Sequence, residues 1–319
     1  MTEESRFLSF MGMRVHFSVA RPEGEIKNRM LFLGSPWITT FQWRKLLPEL
    51  EQLGCLTVSV DLPGFGLSDC GEQIPQDAGT RANIVWGILD SVDAEMESPM
   101  SLWHLTGHGC VCPTILRMAN LYPDSTKSMI LISPLFSISP EGRSRDYVRR
   151  WFHETVFSRQ NFSAFMHAYA GYPLDDYILD RMREPMMRHG ACESFLRMVS
   201  NTLRAPSRGM GFCPTMALWG LLDRWMYEAA LSEIRRLLPE AETHVLKSAG
   251  HLPMETHSRA LRDYLRGRKL AFALKEVRDG ERNLLDIACD YGFSSQEAFT
   301  RAFREAYGVA PGEYRKNPK

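Results

Sequence analysis

The segment Leu105-Thr106-Gly107-His108-Gly109-Cys110-Val111-Cys112 has the form of a nucleophile elbow. In that G-x-S-x-G turn an attacking side chain is held on a sharp bend between a strand and a helix. Hydrolytic chemistry of this type needs such an atom standing beside a base. Here the nucleophile position is Gly109, and Val111 replaces the closing glycine. Glycine has no side chain with which to attack. At the far end, residues 284–316 read as a helix-turn-helix, whose exposed polar face could recognise bases. The pairing suggests a retired enzyme pocket coupled to DNA binding.

The elements that must position these residues alternate. Met13–Ala20 and Arg29–Leu33 read as strands, Gly34-Ser35-Pro36-Trp37 breaks the run, and Phe41–Leu53 reads as a helix. Leu56–Val60 is an apolar, β-branched run suited to a strand buried on both faces. A turn follows at Asp61–Gly66, then a helix over Arg81–Met96, a strand over Leu102–Thr106, the elbow, and a helix from about Pro113 to Leu121. Strands at Met129–Ile132, Thr215–Trp219 and His244–Leu246 complete a mostly parallel sheet covered on both faces. Between about Ser139 and Gly209 no strand is legible. Ten aromatic residues and five methionines there indicate helices inserted after a strand end, where a lid over a pocket belongs.

The 319 residues allow one large domain or two ordinary ones, and a net charge of zero hides an asymmetry. Residues 256–319 hold 13 Lys and Arg against 9 Asp and Glu, leaving 25 and 29 for the rest. A basic tail on an acidic body fits a nucleic-acid module attached to a small-molecule domain. Seven cysteines, an odd number without framework spacing, favour a reducing compartment. Cys110-Val111-Cys112 is C-x-C with no matching ligand cluster, so neither metal nor cofactor is expected. Residues 1–10 do not read as a secretory signal, and no run approaches the ~20 apolar residues of a membrane span. A cytoplasmic protein is expected.

Several local patterns coincide in order. Leu33-Gly34-Ser35-Pro36 is similar to a His-Gly-x-Pro turn with Leu33 in place of His. Asp61-Leu62-Pro63-Gly64-Phe65-Gly66-Leu67-Ser68 is close to D-x-P-G-x-G-x-S. Leu218–Trp225 looks like the strand and turn that deliver a catalytic acid, and Ser248-Ala249-Gly250-His251-Leu252-Pro253 like a catalytic-histidine loop. From about Met13 to Ser258 the chain thus resembles the epoxide-hydrolase and haloalkane-dehalogenase branch of the α/β-hydrolases. The resemblance implies His251 as base, Asp223 as orienting acid, and an oxyanion site built from backbone N–H groups of Ser35 and Cys110. It assigns the nucleophile to Gly109.

Three readings of that gap stand side by side. The fold could serve as a binding pocket that has lost catalysis. Water activated by His251 could use the space opened by Gly109. A displaced nucleophile such as Cys110 could act instead. The first places a small apolar ligand under residues 139–209, in a pocket lined by Ser35, Trp37, Gly109, Cys110 and His251.

Leu284–Phe293 reads as a short helix ended by glycine. Ser294 or Ser295 can cap the next helix, with Glu297 placed for a capping box on Ser294. Phe299, Phe303 and Tyr307 form an apolar stripe opposite Gln296, Glu297, Thr300, Arg301 and Arg304. From Ile287 to Arg315 the string resembles the second helix-turn-helix of AraC-type regulators. Tyr264–Leu270 resembles that family's linker helix. The resemblance implies that Gln296, Glu297 and Arg301 face the major groove; Thr300 shares their face, and Arg304 and Lys269 are expected to hold phosphates. The family's first helix-turn-helix unit is missing, which implies a homodimer on paired half-sites. The expected organisation is an α/β-hydrolase-like domain over 1–258 with a helical lid at about 139–209. A linker helix and a small all-α helix-turn-helix follow over 259–319. The reading is a ligand-sensing regulator; the alternatives are an active hydrolase, or a protein in which neither site works.

Overall fold

The computed structural model describes residues 3–96, 102–136, 144–201, 213–225, 228–261, 273–274, 276–278, 280–291, 293 and 295–317. Cys55–Val60 (β4) is buried along its whole length, as a run with no polar face must be. It pairs in parallel with Asn28–Leu33 (β3), which pairs in parallel with Trp103–His108 (β5). Thr126–Ile132 (β6), Thr215–Gly220 (β7) and Glu242–Leu246 (β8) extend the parallel run. On the other side Met13–Ala20 (β2) joins β4 antiparallel and Glu3–Phe10 (β1) joins β2. The eight-stranded order is β1-β2-β4-β3-β5-β6-β7-β8. β1 was not legible in the sequence, because all its residues except Phe7, Leu8 and Phe10 are polar. The hairpin turns on Met11 and Gly12, both at positive φ, the geometry that tight antiparallel turns require.

The helix expected over Phe41–Leu53 is instead a short 3-10 turn, Thr40–Trp43, followed by α1, Leu47–Gln52. Pro48 has no amide hydrogen, so a helix restarts around it rather than running through it. Helix α2, Ala78–Glu95, begins earlier than expected because the Asp77 carboxylate accepts from Thr80 N–H. Helix α3, Cys112–Leu121, follows the elbow. The inserted stretch is helical, with α4 Arg145–Val156, α5 Arg159–Ala170, α6 Asp176–Arg183 and α7 Ala191–Asn201. Helix α8, Glu228–Leu237, separates β7 from β8, and the short α9 spans Pro253–Thr256.

Buried apolar side chains form two separate clusters. The larger holds the sheet, its covering helices and the insertion. The smaller is built from residues such as Ile287, Ala288, Phe299, Phe303 and Tyr314. Its helices are α10 Leu284–Asp290, α11 Gln296–Tyr307 and α12 Pro311–Lys316.

Candidate functional site

The parallel strands carry their C-terminal ends to one edge of the sheet, where α/β folds build their sites. Ser35 follows β3, Gly109 follows β5, Asp223 follows β7 and His251 follows β8. Gly109 is buried and has φ +64°, the strained elbow geometry that glycine adopts freely. A Cβ built on it would lie 3.3 Å from Ser35 Cβ and 3.5 Å from His251 Nε2. A side chain at position 109 would therefore point between Ser35 and His251.

His251 Nδ1 donates to Asp223 Oδ2 at 2.7 Å, and neither side chain reaches solvent. Burial raises the Asp223 pKa. The hydrogen bond and charge of His251, the Ser133 side chain and the Trp225 N–H outweigh it, so this carboxyl titrates below its usual range. On the far side of the ring, His251 Nε2 is buried with no partner among the described residues. Gly250 lies so close to Ala170, at the end of α5, that no side chain fits there; the insertion and the histidine loop interlock.

Tyr169 of α5 places its ring 4.5 Å from the His251 ring and its hydroxyl 3.4 Å from Ser35 Oγ. No local sequence pattern marked Tyr169; it reads as one aromatic among ten. Trp37 packs against Phe165 and Phe195 of the insertion, at 5.2 and 5.1 Å between centroids. Ser35, Gly109 and His251 thus converge, while Trp37 joins the aromatic cluster. A hollow of about 540 Å³ lies against Asp223, Leu222, His167 and Gly171. Another of about 700 Å³ lies against Phe152, Phe157, Met186 and Cys192. Neither is lined by Ser35, Trp37, Gly109 or His251.

Cys110 is buried, and desolvation pushes its thiol up to about 12. A thiol so far from ionising is a poor nucleophile at neutral pH. Cys112 is raised by the same cause. His108, also missed in the sequence, donates from Nε2 to the His251 carbonyl at 2.8 Å. Burial, then the neighbouring His251, brings its pKa down to about 3, so it stays neutral and ties the elbow to the histidine loop. The Asp61 turn is structural. Its carboxylate accepts from Thr40 and Leu67 N–H and pairs with His16, and Gly66 lies against it too closely for a side chain.

In the second cluster the cap of α11 is Ser295, which accepts from Ala298 N–H. With the helix starting there, the third helical position is Ala298 rather than Glu297. Glu297 instead hydrogen-bonds Ser295, which holds its carboxyl below the usual range. Ser294 and Gly292 lie outside the described residues. Phe299 and Phe303 are buried, and Gly308 closes the helix at φ +77°. Gln296, Glu297, Arg301 and Arg304 are exposed and Thr300 is half-buried; with Glu305 they line one open hollow. Lys269 and the segment 264–270 lie outside the described residues. Helix α12 was not expected, because Pro311 reads as a stop; it occupies the first turn, where a missing N–H costs nothing.

An α/β-hydrolase fold and a small helix-turn-helix domain therefore share one chain. Residues 254–317 match the helix-turn-helix domain family. Over 60 residues the chain is 45% identical to the regulatory protein SoxS of Escherichia coli K12, an alignment covering 19% of this chain and 55% of that protein. The chain spans about half the length of the curated relatives it matches. Its fold is similar to that of Cfl2 from Burkholderia cenocepacia, with TM-score 0.65 and 21% identity over 82% of this chain and 94% of that one. It is similar also to the epoxide hydrolase CorEH, with TM-score 0.67 and 15% identity over 83% and 97%. At these identities the likeness is one of fold. No described helix is long and apolar enough to cross a membrane.

Proposed function

We propose that this chain is a DNA-binding transcriptional regulator whose hydrolase-like domain senses a small apolar ligand without turning it over. One observation carries the reading: a buried His251–Asp223 pair faces an elbow whose nucleophile position is Gly109, in a chain that also carries a helix-turn-helix. On this reading the protein works in the cytoplasm and pairs with a second copy on DNA. Gln296, Glu297 and Arg301 face the bases with Thr300 beside them, while Arg304 and Lys269 hold phosphates. Arginine pairs with guanine and glutamine with adenine through two hydrogen bonds each.

Selection of bound genome fragments by the full-length protein tests it. Arg301→Ala should then cost on the order of 1–3 kcal/mol at a selected site and relax its sequence preference. A protein that ignores DNA at low salt, with and without added ligands, overturns the reading.

The unpartnered His251 Nε2 favours a second reading, in which it activates water at the space beside Gly109. Residual catalysis without a nucleophile reaches roughly 10³–10⁴ over water, so ester and epoxide assays must resolve that range. Turnover abolished by His251→Ala would favour the enzyme.

A further inference from the structure

The two ring nitrogens of His251 have different surroundings. Nδ1 donates to Asp223, whose carboxyl titrates below its usual range and stays ionised at neutral pH. In a neutral imidazole that bond holds the proton on Nδ1 and leaves Nε2 as an acceptor. Nε2 is buried and has no partner among the described residues. A buried acceptor without a donor is costly, so this atom calls for an incoming O–H or N–H.

The atom faces position 109. A Cβ built on Gly109 would stand 3.5 Å from His251 Nε2, 3.3 Å from Ser35 Cβ and 3.8 Å from Ser35 Oγ. An oxygen close to that point lies within reach of Nε2 and of Ser35 Oγ, for hydrogen bonds of about 2.8 Å. Ser35 is buried, and its Oγ stands 3.4 Å from the Tyr169 hydroxyl. One acceptor and one hydroxyl thus meet where a side chain of residue 109 would be.

Aromatic rings lead from this point toward solvent. The Tyr169 ring lies 4.5 Å from the His251 ring, and Trp225 lies 5.4 Å from Tyr169 and 6.5 Å from His251. Tyr169 is buried, whereas Trp225 is 40% exposed. Resting on the sensor reading above, we propose that the ligand is an apolar alcohol. Its hydroxyl takes the position of a side chain at residue 109, donates to His251 Nε2 and accepts from Ser35 Oγ, while its apolar body lies against Tyr169 and Trp225. A hydroxyl supplies both a donor and an acceptor, whereas a carboxylate, ketone or ether has no donor for Nε2. An ammonium would bring a charge into a buried place where the carboxylate of Asp223 is already engaged by His251.

The test uses the full-length protein carrying 15N-labelled histidine and three matched series: straight-chain alcohols from butanol to dodecanol, their methyl ethers, and the carboxylic acids of the same length. Thermal shift and intrinsic fluorescence should show at least one alcohol binding about tenfold or more tightly than its ether and its acid. That alcohol should also move the His251 Nε2 resonance, assigned by its loss in His251→Gln. Gly109→Ala puts a methyl at the same point and should remove the preference. Should that variant fail to fold by circular dichroism, the Nε2 resonance of the unmodified protein decides alone. Three results overturn the proposal and leave the sensor reading standing: ethers or acids that bind as tightly as the alcohols, a Nε2 resonance unmoved by a bound alcohol, or a preference that survives in folded Gly109→Ala. Binding by no member of any series overturns the proposal as well, and the regulator reading then stands or falls on the selection of genome fragments.

Discussion

A Cβ placed on Gly109 would stand 3.5 Å from His251 Nε2, within reach of the buried ring nitrogen for a hydroxyl one bond further out. Gly109→Ser should therefore complete a Ser–His–Asp array with the existing 2.7 Å His251–Asp223 contact. The positive φ makes the substitution cost about 1–2 kcal/mol of stability. Weak hydrolysis of p-nitrophenyl acetate is expected in Gly109→Ser and absent from Gly109→Ser/His251→Ala, measured by initial rates.

His108 supplies a pH dependence. Its pKa is about 3 in the fold against an ordinary 6.5, because burial and then His251 disfavour its charged form. Below pH 6.5 the unfolded chain binds the proton and the folded one resists it, so stability rises with pH. The contribution is complete above about 6.5 and is lost as pH falls toward 3, with a slope of about 1.4 kcal/mol per unit. Urea unfolding from pH 7 to 4.5 should show this slope, and His108→Gln should flatten it.

The cysteines differ in access. Cys289 is exposed, whereas Cys110 is buried with its thiol pushed up to about 12. Iodoacetamide at pH 7.5 should label Cys289 within minutes in the native protein and Cys110 only after denaturant is added, read by peptide mass spectrometry.

The small cluster depends on few side chains. Phe303 is fully buried and touches Phe299, Tyr307 and Tyr314. Phe303→Ala should cost about 3–5 kcal/mol, comparable to the whole stability of so small a core. Loss of amide-exchange protection in α11, with protection retained in β4 and β5, is the expected result.

Local geometry was legible in the sequence because neighbouring residues encode it. The elbow at Gly109, the Asp61 turn and the polar face of α11 each follow from spacing within a few positions, governed by backbone dihedrals and helical period, while the roles of Asp223 and His251 were implied by the family resemblance. What the tertiary structure alone decided is which groups lose water. Tyr169 reads as one aromatic among many, and His108 as the variable position of a motif. Their partners stand far away in sequence: Ser35 and His251 for Tyr169, His251 for His108. Desolvation depends on those distant neighbours, so a shifted pKa has no local signature until the chain has folded.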